Sequence, residues 1–168
     1  MLKFFNKKKN DNKGFSLVEL IIVVAIMAIL VGLLAPQYLK YVEKSRKSAD
    51  ASNLDEMVRA IQIYAADAEV TLPEDTYTIT IGKDKTEVKA TSNKAENKKV
   101  AEDALAENAP DWAKTKLKSN KWDNGKPEET QKGNATSVSA VITVAQDGGT
   151  TVKYTPKSLA DYINKTAK

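Results

Sequence analysis

The sequence of 168 residues contains no cysteine and no histidine. The first absence excludes a disulfide framework and thiolate chemistry. The second excludes histidine-based triads, histidine metal ligands and an imidazole switch at physiological pH. No segment has the spacing of a nucleophile with its base, a phosphate-binding loop or a redox centre. We therefore predict a protein that is not an enzyme and that holds no cofactor and no metal.

The chain also lacks a basic excess once its first 14 residues are set aside. These residues carry five lysines and one aspartate, which accounts for the whole net charge of +4. The remaining residues include 21 basic and 21 acidic groups. Because the basic excess belongs to the first 14 residues, the charge of the remaining chain gives no support for DNA binding, and we predict no nucleic-acid partner.

One long apolar run dominates the N-terminal region. Between Phe15 and Ala35 the only ionisable side chain is Glu19. As an α-helix this run would extend ~31 Å, close to the ~30 Å thickness of a bilayer hydrocarbon core. A cleaved secretory signal fits less well, because its shorter apolar region should precede a small-residue site, whereas Gly14 comes before the run. The run therefore predicts a membrane anchor that crosses the bilayer once.

A simple anchor does not explain Glu19. A carboxylate at the bilayer centre costs roughly 2.5–3.5 kcal/mol, so an intramembrane acid indicates a function. Two structural alternatives remain open. The side chain could reach the nearby membrane interface, or it could be held by the positive end of the helix dipole, which contributes roughly 0.3–1 kcal/mol.

The N-terminal residues resemble those of type IV prepilins and their pseudopilin relatives. The segment K-G-F-S-L-V-E-L combines a basic leader, Gly14, the aromatic Phe15 and a glutamate at the fifth position counted from Phe15, Glu19. Pro36, which closes the apolar run, lies where such pilins carry a helix-distorting proline. The resemblance covers residues 14–36 closely, which is 23 of the 168 residues.

The resemblance implies a processing and assembly route. A membrane prepilin peptidase would cleave between Gly14 and Phe15 and would also N-methylate Phe15. Glu19 would then pair with the α-amino group of Phe15, either in its own chain or, as the family favours, in a neighbouring subunit. Subunit assembly would thus depend on Phe15, Glu19 and Pro36.

The resemblance also implies partners and a location. The partners would be further copies of the chain in a helical homopolymer, the prepilin peptidase and methyltransferase, the pilus assembly platform, and the membrane before assembly. The precursor would cross the cytoplasmic membrane once, with its N-terminus inside, and the assembled filament would be extracellular. Many type IV pilins close a C-terminal loop with a disulfide, so the missing cysteine hints at a Gram-positive source.

Three parts of the chain are expected. A leader occupies residues 1–14, a transmembrane and assembly helix residues 15–36, and a globular domain residues 37–168, whose segment 37–72 continues the helix. Gly32 and Pro36 predict a local kink or a melted turn. An apolar stripe that begins at Leu54 repeats at steps of three and four, which predicts that the second part of the helix packs on a core.

The pattern after this helix predicts an α+β fold with an antiparallel sheet of about four strands. Alternating residues and turn signals indicate two hairpins, and periodic segments indicate two further helices. The predicted strands are 76–81, 86–91, 137–145 and 150–155, and the predicted helices are 95–108 and 156–165. We expect residues 111–134 to form a surface loop with Trp112 or Trp122 turned inward.

One turn of this fold has two interpretations. Asp147-Gly148-Gly149 could belong to a calcium loop, as in some pseudopilins. A hairpin turn that needs a positive φ explains the same residues more simply.

The predicted function is that of a structural subunit of a type IV pilus, serving adhesion, motility or surface aggregation. Two alternatives remain. A pseudopilin of a type II secretion or competence system would share residues 14–36. A membrane-anchored binding domain or enzyme that does not polymerise is the second alternative, and it would leave Glu19 without a purpose.

Overall fold

The computed structural model describes residues 16–67, 72–123 and 135–166. The chain divides into two compact units, Met1–Tyr41 and Val42–Lys168, and the division falls within the first helix. The elements, in chain order, are α1 (Leu17–Ala66), β1 (Asp75–Gly82), β2 (Thr86–Ala90), α2 (Ala95–Asn108), a short 3₁₀-helix (Trp112–Lys114), β3 (Ser137–Val144), β4 (Thr150–Thr155) and α3 (Lys157–Thr166).

The four strands form one antiparallel sheet in the order β2-β1-β3-β4. Both predicted hairpins are confirmed, and the pairing of β1 with β3 joins them. Ile79, for example, lies opposite Val88 of β2 and Ala140 of β3. The predicted α+β class with a sheet of about four strands is therefore confirmed.

The core lies between one face of the sheet and the helices of the second unit. Alternation along β1 buries Tyr77, Ile79 and Ile81 completely, as the pattern predicted. The apolar stripe of α1 is likewise buried where it was expected, at Leu54, Met57, Val58 and Ile61. Further core side chains come from the other elements: Ala101, Ala104 and Leu105 of α2, Val138 and Ile142 of β3, and Leu159 of α3.

Helix α1 ends at Ala66, before the predicted end of the helical segment 37–72. The turn between β3 and β4 lies against this helix end, because a Cβ atom added at Gly148 would come within 2.6 Å of the carbonyl oxygen of Ala65. Gly148 also has a φ of +79°, which favours glycine. Asp147 Oδ1 accepts a hydrogen bond from Gly149 N at 2.9 Å. The hairpin-turn interpretation of these residues is confirmed, and the contact with α1 is a second reason for the glycine.

The loop that follows the 3₁₀-helix is attached to α1 through a buried carboxylate. Asp50 is fully buried and accepts hydrogen bonds from Lys118 N at 2.8 Å, Ser119 N at 2.9 Å and Trp122 Nε1 at 3.0 Å. The hydroxyl of Ser119 donates a further bond to Glu43. Of Trp112 and Trp122, it is therefore Trp122 that is turned inward and fully buried. These bonds link distant parts of the chain in a protein that has no disulfide.

Replacing Asp50 with alanine should destabilise the domain by roughly 2–4 kcal/mol, because three buried donors lose their acceptor. Urea unfolding of a fragment that starts at Val42 measures the change. Asp111→Ala is the control, because that carboxylate is 83% exposed. If the two variants unfold at the same urea concentration, the attachment of the loop through Asp50 does not stabilise the domain.

Candidate assembly site

The described part of the first unit is a helix whose apolar side chains are uncovered. Every residue from Ser16 to Tyr41 is exposed. The large apolar side chains from Leu17 to Leu34 keep between 45% and 72% of their surface accessible. By length and composition this part of α1 is able to cross a membrane. An apolar surface of this extent indicates a site that contacts lipid or another protein.

Glu19 lies in the first turn of α1. The amide of Leu20 donates to the carbonyl oxygen of Ser16 at 3.1 Å, so the turn that contains Glu19 is closed by a backbone hydrogen bond. The side chain is exposed, and within the described part of the chain it forms no ion pair. Its position suits either a charge partner supplied from outside the described residues or an interaction with the positive end of the helix dipole.

Of the other predicted site residues, Pro36 is described by the structure, whereas Gly14 and Phe15 are not. Gly14 and Phe15 lie outside the described residues, so cleavage and methylation stay predictions. Pro36 lies inside α1, and the helix continues through both Gly32 and Pro36. Proline removes one donor, the N–H that would bond the carbonyl oxygen of Gly32. The residues on either side of Pro36 remain helical, so the expected melted turn is not found in this structure.

The polar attachments of α1 in the second unit were not predicted from the sequence, and two of them involve a carboxylate of α1. One is the Asp50 cluster described above. In the other, Tyr154 of β4 donates its hydroxyl to Asp55 Oδ1 at 3.0 Å, while Arg59 Nε donates to Asp55 Oδ2 at 3.0 Å. Burial and the hydrogen bond to Asp55 both raise the pKa of the Tyr154 hydroxyl, so it remains a donor at any physiological pH.

Comparison with known proteins gives a family match in the N-terminal region and a similarity to fimbrial proteins. A family model for the prokaryotic N-terminal methylation motif matches residues 9–35. The chain is 41% identical over 61 residues to each of three type IV major fimbrial proteins, FimA, from Dichelobacter nodosus. This similarity covers 36% of the chain and 38–39% of each relative, so the chain spans about two fifths of the length of the relatives it matches. No solved structure gives a significant match.

These findings agree with the structure in the part of the chain that they cover. The methylation motif ends at residue 35, where the apolar run of α1 also ends. The long helix and the four-stranded antiparallel sheet that follows it complete the α+β architecture. The motif, the similarity to the fimbrial proteins and the apolar N-terminal helix all agree with the resemblance of the N-terminal region to type IV pilins.

Proposed function

We propose that the chain is the structural subunit of a type IV pilus. The observation that carries this proposal is an uncovered apolar helix with a single acid in its first turn, directly after the basic residues of a methylation motif. Such a helix is unstable in water and needs either lipid or other apolar helices around it. The same surface can therefore serve as a membrane anchor first and as a polymerisation surface afterwards.

Assembly exchanges lipid contacts for helix contacts. Residues 1–14 form the leader, and residues 15–36 form the segment that leaves the bilayer for the filament core. The second unit, which has its own buried core, remains outside. The partners are further copies of the chain, the prepilin peptidase and methyltransferase, and the pilus assembly platform. The filament is extracellular.

The charge on Glu19 would fix the position at which each subunit joins the filament. Cleavage before Phe15 creates an α-amino group four residues from Glu19, or ~6 Å along a helix. A carboxylate in an apolar filament core needs a cation and a hydrogen-bond donor, and this amino group supplies both. The amino group of a neighbouring subunit would link each added copy to the previous one.

Processing should require a small residue at position 14. The peptidase has to fit the backbone closely where the leader meets the helix, so the side chain in Gly14→Val should obstruct cleavage. Co-expression with the peptidase followed by intact-mass measurement should show the wild type without residues 1–14 and the variant with its leader. Equal processing of both proteins would contradict the cleavage assignment.

The structural role is tested on cells. Antibody against the second unit should label surface filaments along their whole length. Labelling restricted to the cell envelope or to short stubs would favour the pseudopilin alternative. Absence of filaments and of any crosslinked ladder of subunits would favour an anchored protein that does not polymerise.

A further inference from the structure

Strand β4 forms one edge of the sheet in the second unit. Ala145 N donates to Gly149 O at 2.9 Å across the β3–β4 turn, which makes these two residues a hydrogen-bonded pair. Because hydrogen-bonded and non-hydrogen-bonded pairs alternate in an antiparallel ladder, the N–H and C=O groups of Val152 and Tyr154 point away from β3. No described residue forms a hydrogen bond with these backbone groups. The edge therefore presents two donors and two acceptors to a partner.

The hydrophobic core is also open at this edge. The side chains of Val152 and Tyr154 face the core but are only partly buried. At the opposite edge of the sheet, Val88 of β2 is only 1% exposed. There the hydroxyl of Thr86 donates to the carbonyl oxygen of Thr115 at 2.7 Å, which attaches the loop after the 3₁₀-helix to β2. The two edges thus differ, and the β4 edge leaves apolar surface accessible beside its free backbone groups.

A groove of about 530 Å³ lies between β4 and α3. Val152, Tyr154 and Ala160 supply apolar surface to it, and the side-chain amide of Asn164 also lines it. Within the described part of the chain this amide forms no hydrogen bond. Five residues of an extended chain span ~17 Å, which is close to the length of a six-residue strand such as β4. The groove therefore suits an extended segment that lies along the strand.

The charge of the groove has one sign. Of the described residues that line it, two are lysines, Lys153 and Lys157, and none is acidic. Both lysines are exposed, and neither takes part in an ion pair of the described residues. Opposite charges on neighbouring strands stabilise a sheet, and like charges destabilise it. A partner with carboxylates beside these ammonium groups is therefore favoured.

We infer that the groove between β4 and α3 binds an acidic peptide segment of a partner protein, which adds to the sheet as an extended strand. The backbone of the segment would bond the free N–H and C=O groups of Val152 and Tyr154. Its side chains would alternate, with acidic residues beside Lys153 on the outer face of the sheet and apolar residues in the groove. A second copy of β4 fits less well, because it would bring another Lys153 beside the first. This surface goes beyond the proposed function and does not require polymerisation.

The groove is tested with the full chain in a nonionic detergent and a fluorescently labelled peptide that alternates glutamate and valine over five residues. Fluorescence anisotropy should show saturable binding of this peptide. The same peptide with every backbone nitrogen methylated should not bind, because it has lost its backbone donors. A peptide that alternates lysine and valine should not bind either. Absence of binding by the acidic peptide at millimolar concentration would overturn the inference.

Two double variants separate the groove from the overall charge. Lys153→Gln/Lys157→Gln should weaken binding of the acidic peptide by roughly 3- to 25-fold, because each exposed ion pair contributes modestly. Lys89→Gln/Lys99→Gln removes one exposed lysine from the opposite edge strand and one from α2, and it should keep the wild-type affinity. Equal affinities of the two variants would show that the peptide does not bind at Lys153 and Lys157.

Amide hydrogen exchange measured by NMR locates the bound peptide. Exchange at Val152 and Tyr154 should slow when the acidic peptide is added, whereas exchange at Val88 in the other edge strand should not change. Unchanged exchange at Val152 and Tyr154 would overturn strand addition at this edge. If exchange at these two residues instead slows with rising protein concentration and without peptide, a second copy occupies the edge. The acidic partner is then wrong, while the proposed function, which is tested by filament labelling, is unaffected.

Discussion

Glu19→Ala is expected to abolish filaments while processed subunits accumulate in the membrane. Glu19 is the only charged side chain in the apolar part of α1, and it lies in the first turn of that helix. Removing one partner of a buried ion pair costs roughly 3–5 kcal/mol, which corresponds to more than a hundredfold in an equilibrium constant. Removing the carboxylate also makes membrane residence more favourable. Both effects favour the membrane-bound subunit over the filament.

The size of the loss distinguishes the ion pair from a local role at the helix end. A carboxylate that only interacts with the helix dipole contributes roughly 0.3–1 kcal/mol, so its removal should lower filament abundance less than ~6-fold. Filaments are counted by electron microscopy, and processed subunit in the membrane is quantified by immunoblot. Glu107→Ala, which removes an exposed acid from α2, is the control. Processed Glu19→Ala subunits that polymerise as well as this control would contradict the pairing mechanism.

The sheet and the shorter helices were predictable because their signals are local. Alternation along β1 and β3 places one set of apolar residues on one face, and the intervening turn residues mark the hairpins. The predicted end of α2 at Asn108 matches the structure because Pro110 follows shortly after the periodic segment. The signals for these strands, turns and helix ends therefore come from residues within a few positions of each other in the sequence.

The end of α1 and the attachment of the loop depend on contacts between distant residues. Gly148 lies close to Ala65 although more than half of the domain sequence separates them. No residue near Ala66 indicates this contact. Asp50 resembles one more acid on a solvated helix face. Two of its three donors are backbone amides, which every residue except proline possesses, so no sequence pattern identifies them.

The residues of the candidate site, in contrast, were identified from the sequence and the resemblance rather than from contacts in the structure. Glu19 is conspicuous in the sequence because a charge in an apolar run is unusual whatever the fold, and its role in assembly stays a prediction. The roles of Gly14 and Phe15 came from the resemblance, and these residues lie outside the described part of the chain.

Ile142→Asp is expected to destabilise the second unit by more than ~4 kcal/mol. Ile142 is fully buried in β3, where it lies opposite Tyr77 of β1 and Val152 of β4. The substitution removes an apolar side chain from a packed core and places an unpaired carboxylate there. Because domains of this size are stable by only about 5–15 kcal/mol, the variant should unfold at a much lower urea concentration than the wild type.

The adjacent residue is a matched control. Val141 points to the opposite face of the sheet, is only partly buried, and lies opposite Lys153 of β4. An aspartate there remains in contact with water and faces a cation, so Val141→Asp should change the stability by no more than about 1 kcal/mol. Both variants are compared by urea unfolding of the fragment Val42–Lys168, which is the second compact unit. Equal losses from the two substitutions would mean that β3 does not present Ile142 to the core, and the assigned register of the sheet would be wrong.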